Sequence, residues 1–197
     1  MQVEDSGMPE EAYWNSLFDI AAIVEWLDIP RHATVAEIGC GYGSFTLPVA
    51  QKTAGQVFAF DIDAAMIEIA QRHVSNAGLT NVSFILRDVL EQGSKLEAES
   101  LDLVLLFNIL HFKERRILLQ EAARILKPGG VVAILHWRKD IPTPRGPAVD
   151  TRPDQTQMLS AATGLDLQFT GNSRILEPFH WGMQLMKGCS PGLDPEL

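Results

Sequence analysis

Apolar and polar positions along the chain alternate between two periods. From Glu10 to Leu27 the apolar residues recur at helical spacing: Trp14, Leu17, Phe18, Ala21, Ile23, Val24 and Leu27. Pro30 closes that segment. Thr34–Ile38 is a short apolar run that breaks into Gly39-Cys40-Gly41-Tyr42-Gly43, and a helix is predicted over Ser44–Lys52. The unit is strand, glycine turn, helix. It then repeats in kind. Gln56–Phe60 reads as a buried strand ending at Asp61, and Ala64–Ala77 as a helix capped by Gly78. Asn81–Leu86 is a third strand, ending at Arg87-Asp88, and Leu101–Phe107 a fourth. Lys113–Leu126 is helical, stopped by Pro128-Gly129-Gly130, and Val131–Leu135 is a fifth strand. Strands that are apolar almost throughout, alternating with helices, predict an α/β fold with a parallel sheet covered on both faces.

After His136 the texture changes. Arg138–Pro153 carries Pro142, Pro144, Pro147 and Pro153 and reads as a loop over the sheet edge where ligands sit. Gln155–Thr163 is a short helix. Leu165–Leu176 and Trp181–Lys187 are two strands with no helix between them, a hairpin that adds an antiparallel strand. The expected organisation is a helical cap over residues 1–30, one domain over 31–188 and a frayed tail over 189–197.

Composition narrows the class. A chain of 197 residues, 46% hydrophobic, fills one core and not two. No apolar run reaches the roughly 18–20 residues of a membrane span, and the acidic, polar start does not resemble a secretory signal. The formal net charge of -9 disfavours bulk nucleic acid as a partner, because phosphates are met by basic faces. Cys40 and Cys189 lie far apart and suggest neither a disulfide framework nor a metal motif. The expectation is a cytoplasmic monomer or homodimer acting on a small molecule.

Three acids and the glycine loop carry the candidate chemistry. Glycines at 39, 41 and 43 let the backbone approach a ligand and turn sharply into a helix. The bland alternative is a tight turn with no ligand. Asp61 ends the next strand, about 20 residues on, where dinucleotide folds hold a ribose by its hydroxyls. NAD and S-adenosylmethionine both carry adenosine, so this pair does not separate them. Asp63 competes for the role but reads better as the N-cap of the following helix. Glu37, two residues before Gly39, discriminates between the two ligands. An acid there suits the ammonium of S-adenosylmethionine and repels a pyrophosphate; a solvated or capping glutamate is its bland alternative.

Taken in order, these segments resemble the class I, Rossmann-like S-adenosylmethionine-dependent methyltransferases. Val35–Gly43 is similar to that family's first motif and Phe58–Met66 to its second. Arg87-Asp88-Val89 falls where the family sets an acid against the adenine amino group. Leu101–His111 resembles the fourth-strand motif and Ala123–Gly130 the turn before the fifth strand. The resemblance implies a three-layer sandwich with a seven-stranded sheet in the order 3-2-1-4-5-7-6, strand 7 antiparallel. It implies that Glu37 and the loop Gly39, Cys40, Gly41 and Gly43 hold the methionine part. Asp61 would bind ribose, Ile62 would pack on adenine, Asp88 and Val89 would read its edge, and Asn108 would lie under the sulfonium. The subgroup likeness is to small-molecule enzymes, including the ubiquinone and menaquinone biosynthesis type.

The departures narrow the acceptor. Asn108 is followed by Ile109-Leu110-His111 and not by the Pro-Pro-aromatic run of nucleic-acid amino methyltransferases. Neither cysteine sits where a cytosine-C5 enzyme needs a nucleophile, and arsenite enzymes need more of them. His111 and His136 are candidate general bases, with His180 a less certain third. A histidine metal site is the less favoured reading, and no metal is expected. Tyr13, Trp14, Trp137 and Trp181 are candidate lining residues of an apolar acceptor pocket, against the plainer reading as core. Arg138, Arg145 and Arg152 read as a solvated loop more readily than as anion-steering groups. The rival readings are a nicotinamide-dependent oxidoreductase, which lacks here a Tyr-x-x-x-Lys pair, and a non-catalytic adenosine-ligand module.

Overall fold

The computed structural model describes residues 8–189. Helices α1 (Glu11–Asn15) and α2 (Ile20–Trp26) precede β1 (Val35–Ile38), α3 (Thr46–Lys52), β2 (Val57–Asp61), α4 (Ala64–Asn76) and β3 (Val82–Leu86). Then come α5 (Val89–Gln92), β4 (Leu101–Phe107), α6 (Arg115–Ile125), β5 (Leu126–Trp137), α7 (Gln155–Ala162), β6 (Leu167–Leu176) and β7 (His180–Lys187). The strands form one sheet in the order β3-β2-β1-β4-β5-β7-β6. Strands β1 to β5 pair in parallel, and β7 runs antiparallel to both β5 and β6. This is the expected α/β architecture. The central parallel strands read as near-continuous apolar runs because both faces are covered. One cluster packs Val104, Leu106 and Ile134 against Leu119, Ile125 and Met158 of α6 and α7. The other packs Leu103, Leu105 and Leu135 against Ile23, Trp26 and Val49 of α2 and α3.

Several boundaries differ from the sequence reading. The single helix expected over 10–27 is two. Leu17 and Phe18 turn into the core between them, and Asp19 restarts the helix by accepting the Ala22 amide. Phe18 bridges in the backbone to Pro178, which ties the cap to the β6–β7 turn. Helix α3 begins at Thr46, two residues later than predicted. A short helix, α5, follows β3 because Asp88 caps it, accepting from the amides of Leu90 and Glu91. Strand β5 extends back through Pro128-Gly129-Gly130: Leu126 pairs with Leu101, and the register then shifts between Leu101 and Leu103. The expected tail lies almost wholly outside the described residues, as do the first seven positions of the cap.

Polar side chains lock the frame at both ends of the chain. Asp102 accepts the Thr34 amide and pairs with Lys127 at 2.7 Å, joining the starts of β1, β4 and β5. Trp26 Nε1 donates to Asn172, Asn172 Nδ2 donates to Gln184, and Gln184 Nε2 donates back to the Trp26 carbonyl. That ring fastens α2 to the last two strands.

Candidate active site

The order of strands reverses between β1 and β4, and ligands bind such sheets at the carboxyl ends beside that switch point. A cleft of about 290 Å³ opens there. Glu37, Gly39, Cys40 and Gly41 line it from β1 and the glycine loop, and Asp61 and Ile62 from the end of β2. Asp88 and Val89 line it from the end of β3, and Asn108 and His111 from the end of β4. Trp14 of α1 and Phe112 add apolar wall. Most residues singled out in the sequence therefore converge on one cavity.

The loop geometry explains why glycine recurs. Gly39 and Gly41 have φ of +81° and +52°, conformations that disfavour any side chain. The amides of Gly39 and Cys40 both donate to the Phe60 carbonyl, which stitches the loop to the end of β2. Gly43 serves packing instead and is not part of the cleft wall. A Cβ there would stand 2.9 Å from the Ala70 Cβ, so this glycine sets how closely α4 approaches. Cys40 is buried, and burial pushes its thiol well above the ordinary range, which makes it inert.

The acids are held in unequal ways. Glu37 is 1% exposed, and its Oε2 accepts from Thr46 Oγ1 at 2.5 Å. Burial pushes its carboxyl up to about 8; the Thr46 bond opposes that and Asp61 adds to it. Thr46 was not foreseen, although a hydroxyl in the first turn after a glycine loop was a readable signal. Asp61 accepts from the Gly41 amide at 2.8 Å through Oδ2 and from the Asp63 amide at 3.0 Å through Oδ1. Burial raises its pKa as well, against these two bonds. Asp63 caps α4, as read from the sequence, by accepting the Ala65 amide. Asp88 uses Oδ1 for both of its helix-capping bonds, which leaves Oδ2 outside them.

Asn108 is the strained residue of the site. Its φ is +59°, and its amide donates to the Leu135 carbonyl. Its Oδ1 and Nδ2 are both buried with no hydrogen-bond partner among the described residues. Strain and unsatisfied polar atoms at one position on a cleft wall point to a ligand-facing role. Together with the left-handed loop and the buried acids, they fit a ligand carrying an ammonium, a ribose and an adenine.

The other candidates fall elsewhere. Tyr13 is 42% exposed and is not on the cleft wall. His136 and Trp181 pair across β5 and β7 and share one sheet face, while Trp137 and His180 pair on the other. All four are buried, and none lines the cleft. The expectation that Trp137 and Trp181 form the pocket wall is therefore corrected. Adjacent strand residues face opposite ways, so His136 and Trp137 do not both point at one site. Burial pushes His136 and His180 down to about 3, and both are neutral at ordinary pH. His180 stacks on Phe18 with ring centres 4.4 Å apart and lies against Trp137. In the proline-rich loop, Arg138 pairs with Asp140. Arg152 is buried instead of solvated. It donates to the carbonyls of Pro147, Arg138 and Arg145 and lies over the Trp137 ring, so it clasps the loop shut.

Comparison with known proteins agrees with this geometry. Residues 35–130 match the family model described as a methyltransferase domain. The chain is 32% identical over 88 residues to the 23S rRNA (uracil(1939)-C(5))-methyltransferase RlmD of Marinomonas posidonica, covering 44% of this chain and 20% of that protein. It is 31% identical over 114 residues to the methyltransferase GfsG of Streptomyces halstedii, covering 57% and 40%. These matches span well under half of either relative's own length. A crystal structure of a SAM-dependent methyltransferase from Aquifex aeolicus superposes with a TM-score of 0.77 at 20% identity, over 90% of this chain and 94% of that one, a likeness of fold. Residues 35–130 are thus similar in sequence to a methyltransferase domain, and over nine-tenths of its length the chain shares the fold of a SAM-dependent methyltransferase.

Proposed function

We propose that the protein methylates a small, partly apolar molecule by direct in-line transfer from S-adenosylmethionine. That cofactor, when bound, supplies a methyl group activated on a sulfonium. Glu37 takes the ammonium, with Gly39 and Gly41 bringing the backbone close. Asp61 accepts from the ribose hydroxyls, Ile62 covers one adenine face, and Asp88 Oδ2 with Val89 meets the adenine edge. Asn108 lies at the sulfonium end. Transfer from a sulfonium needs alignment more than acid–base help, because the leaving thioether takes no proton. Positioning of that kind is worth up to roughly 7–11 kcal/mol.

The observation that carries the cofactor choice is the buried carboxyl of Glu37 beside the glycine loop. A pyrophosphate there would face an acid; an ammonium finds its partner. S-adenosylhomocysteine is therefore expected to raise the melting temperature through ligand linkage, while NAD is not. A shift with NAD alone would overturn the assignment.

Asp61 and Asp63 make a matched pair. Asp61→Ala removes the ribose acceptor and should weaken S-adenosylhomocysteine binding by about 1.5–3 kcal/mol. Asp63→Ala removes a helix cap and should cost about 1 kcal/mol of stability with little change in affinity. Calorimetry and denaturation on both variants would check this, and the reverse order would move the ribose role to Asp63.

Acceptor size rests on the wall and the charge. Trp14, Phe45, Phe107 and Phe112 give the cleft apolar surface, and the chain is acidic. RlmD is named for ribosomal RNA, but the match covers only a fifth of its length. Label from a methyl-labelled cofactor is expected in a small-metabolite fraction, with uptake only weakly dependent on salt. Label chiefly in RNA, falling steeply as salt rises, would contradict the small-molecule reading. No helix among the described residues is long and apolar enough to cross a membrane. The free thiols Cys40 and Cys189 suit a cytoplasmic setting.

A further inference from the structure

The cleft is chemically lopsided. Its acids, Glu37, Asp61 and Asp88, stand at the ends of β1, β2 and β3. At the end of β4 the polar wall is Asn108 and His111, with no carboxylate among the described lining residues there. Behind His111, with ring centres 6.0 Å apart, lies the fully buried His136. Three buried polar atoms of the wall residues lack hydrogen-bond partners among the described residues, Asn108 Oδ1 and Nδ2 and His111 Nδ1, and behind the wall His136 Nε2 lacks one too. Unmet buried groups are costly and uncommon in folded proteins, and several together at a cavity wall mark a place where a ligand supplies the bonds.

The charges nearby select that ligand. Arg115 bears on both His111 and His136, and Arg152 on His136; each holds the imidazoles toward their neutral form, in the same direction as burial. Neutral imidazole nitrogens offer an acceptor, and the Asn108 amide offers a donor beside it. A cationic amine would meet that amide with no carboxylate at this end of the cleft to receive it. An O–H group is matched: its proton faces an imidazole nitrogen and its oxygen, or a neighbouring carbonyl oxygen, faces the Asn108 Nδ2.

Building on the methyltransferase reading above, we propose that the acceptor is an oxygen acid on an apolar frame, a phenolic or enolic hydroxyl or a carboxyl group. Its acidic oxygen sits between Asn108 and His111, and His111 takes the proton of a hydroxyl. The acceptor oxygen's lone pair forms the new O–CH3 bond. The C–S bond breaks with its electrons left on sulfur, so the sulfonium becomes a neutral thioether. The proton of an un-ionised hydroxyl ends on the His111 imidazole; a carboxylate acceptor arrives ionised, so its oxygen forms the O–CH3 bond with no proton to remove. His136, which does not line the cleft, is a positioning residue behind the His111 ring.

The test uses the full chain loaded with S-adenosylhomocysteine and four ligands on one naphthalene frame: a hydroxyl, a carboxylate, an aminomethyl group and a thiol. Calorimetry should show the hydroxyl and carboxylate ligands binding at least tenfold more tightly than the amine. With labelled S-adenosylmethionine, label should enter the two oxygen acids. His111→Gln should lower kcat on a weakly acidic naphthol about a hundredfold or more, and much less on a nitro-substituted naphthol already ionised at the assay pH, with the cofactor KM unchanged. Equal or tighter binding of the amine, or label in the amine, in the thiol or in none of the four, would overturn the proposal. Equal losses on both naphthols would overturn the base role of His111. Absence of S-adenosylhomocysteine binding would instead overturn the cofactor assignment on which the proposal rests.

Discussion

Glu37→Gln is expected to weaken cofactor binding and, at the same time, to stabilise the ligand-free protein in alkaline solution. The two effects share one cause. Glu37 is buried beside Asp61, and its carboxyl is pushed from 4.5 up to about 8. Between those values the folded protein holds a proton on Glu37 that the unfolded chain releases. Stability contributed by the protonated form is full below about pH 4.5 and is lost progressively as pH rises toward 8. At about 1.4 kcal/mol per unit, the loss above pH 8 is about 5 kcal/mol. Glutamine has no proton to lose, and its carbonyl can still accept from Thr46. Denaturation curves for the variant should flatten between pH 5 and 8 and lie above wild type at pH 8 and higher. The same change leaves a cofactor ammonium without its anion, at a cost of roughly 3 kcal/mol, somewhat over a hundredfold in Kd. On the proposed assignment, taking up that cation would require Glu37 to release its proton. S-adenosylhomocysteine affinity should therefore climb as pH rises toward 8. An affinity independent of pH across that window, with Glu37→Gln binding normally, would remove Glu37 from the site.

Trp137→Ala should be among the most destabilising single changes in the chain. The side chain is 1% exposed and is enclosed by Trp14, Phe18, Phe179, His180 and the Arg152 guanidinium. Its removal deletes apolar contact, leaves a cavity and strips the buried Arg152 of its aromatic face. Losses of about 3–5 kcal/mol are usual for such truncations, which for a chain of this size lowers Tm by roughly 10 °C. Cofactor affinity should survive at temperatures where the protein stays folded, because Trp137 does not line the cleft. Trp14→Ala is the contrasting change: Trp14 is only partly buried and does line the cleft, so acceptor use should suffer more than stability. An unchanged Tm for Trp137→Ala with a raised acceptor KM would return Trp137 to the pocket wall.

The sheet was readable because its five parallel strands are mostly apolar and are set off by turn residues or strand-end acids. The positions at those strand ends, Glu37, Asp61, Asp88 and Asn108, are legible for the same reason: the switch point fixes where they go. What stayed hidden depended on direction more than on residue type. His136-Trp137 and His180-Trp181 look like paired candidates in the sequence, yet strand alternation sends the members of each pair to opposite faces. The break between α1 and α2 lay in a signal that helical periodicity masks, since Leu17 and Phe18 fit an apolar stripe as well as they fit a turn into the core. Arg152 was invisible for a different reason. An arginine in a proline-rich stretch reads as solvated, and only the folded loop shows three backbone carbonyls gathered around its guanidinium.

The ring of hydrogen bonds from Trp26 through Asn172 to Gln184 has a consequence for the order of assembly. Trp26 and Asn172 are separated by 146 residues, so this ring closes only once β6 and β7 have been made. Contacts of such long range are slow to form, because loop closure precedes any reward. During synthesis the apolar side chains of Leu17, Phe18 and Trp26 leave the ribosome long before β6 and β7 exist to cover them. The central half, with its parallel strands and glycine loop, can organise first. The roof that carries Trp14 over the cleft then sets last, so the nascent chain acquires its cofactor-facing surface before it acquires an enclosed place for an acceptor.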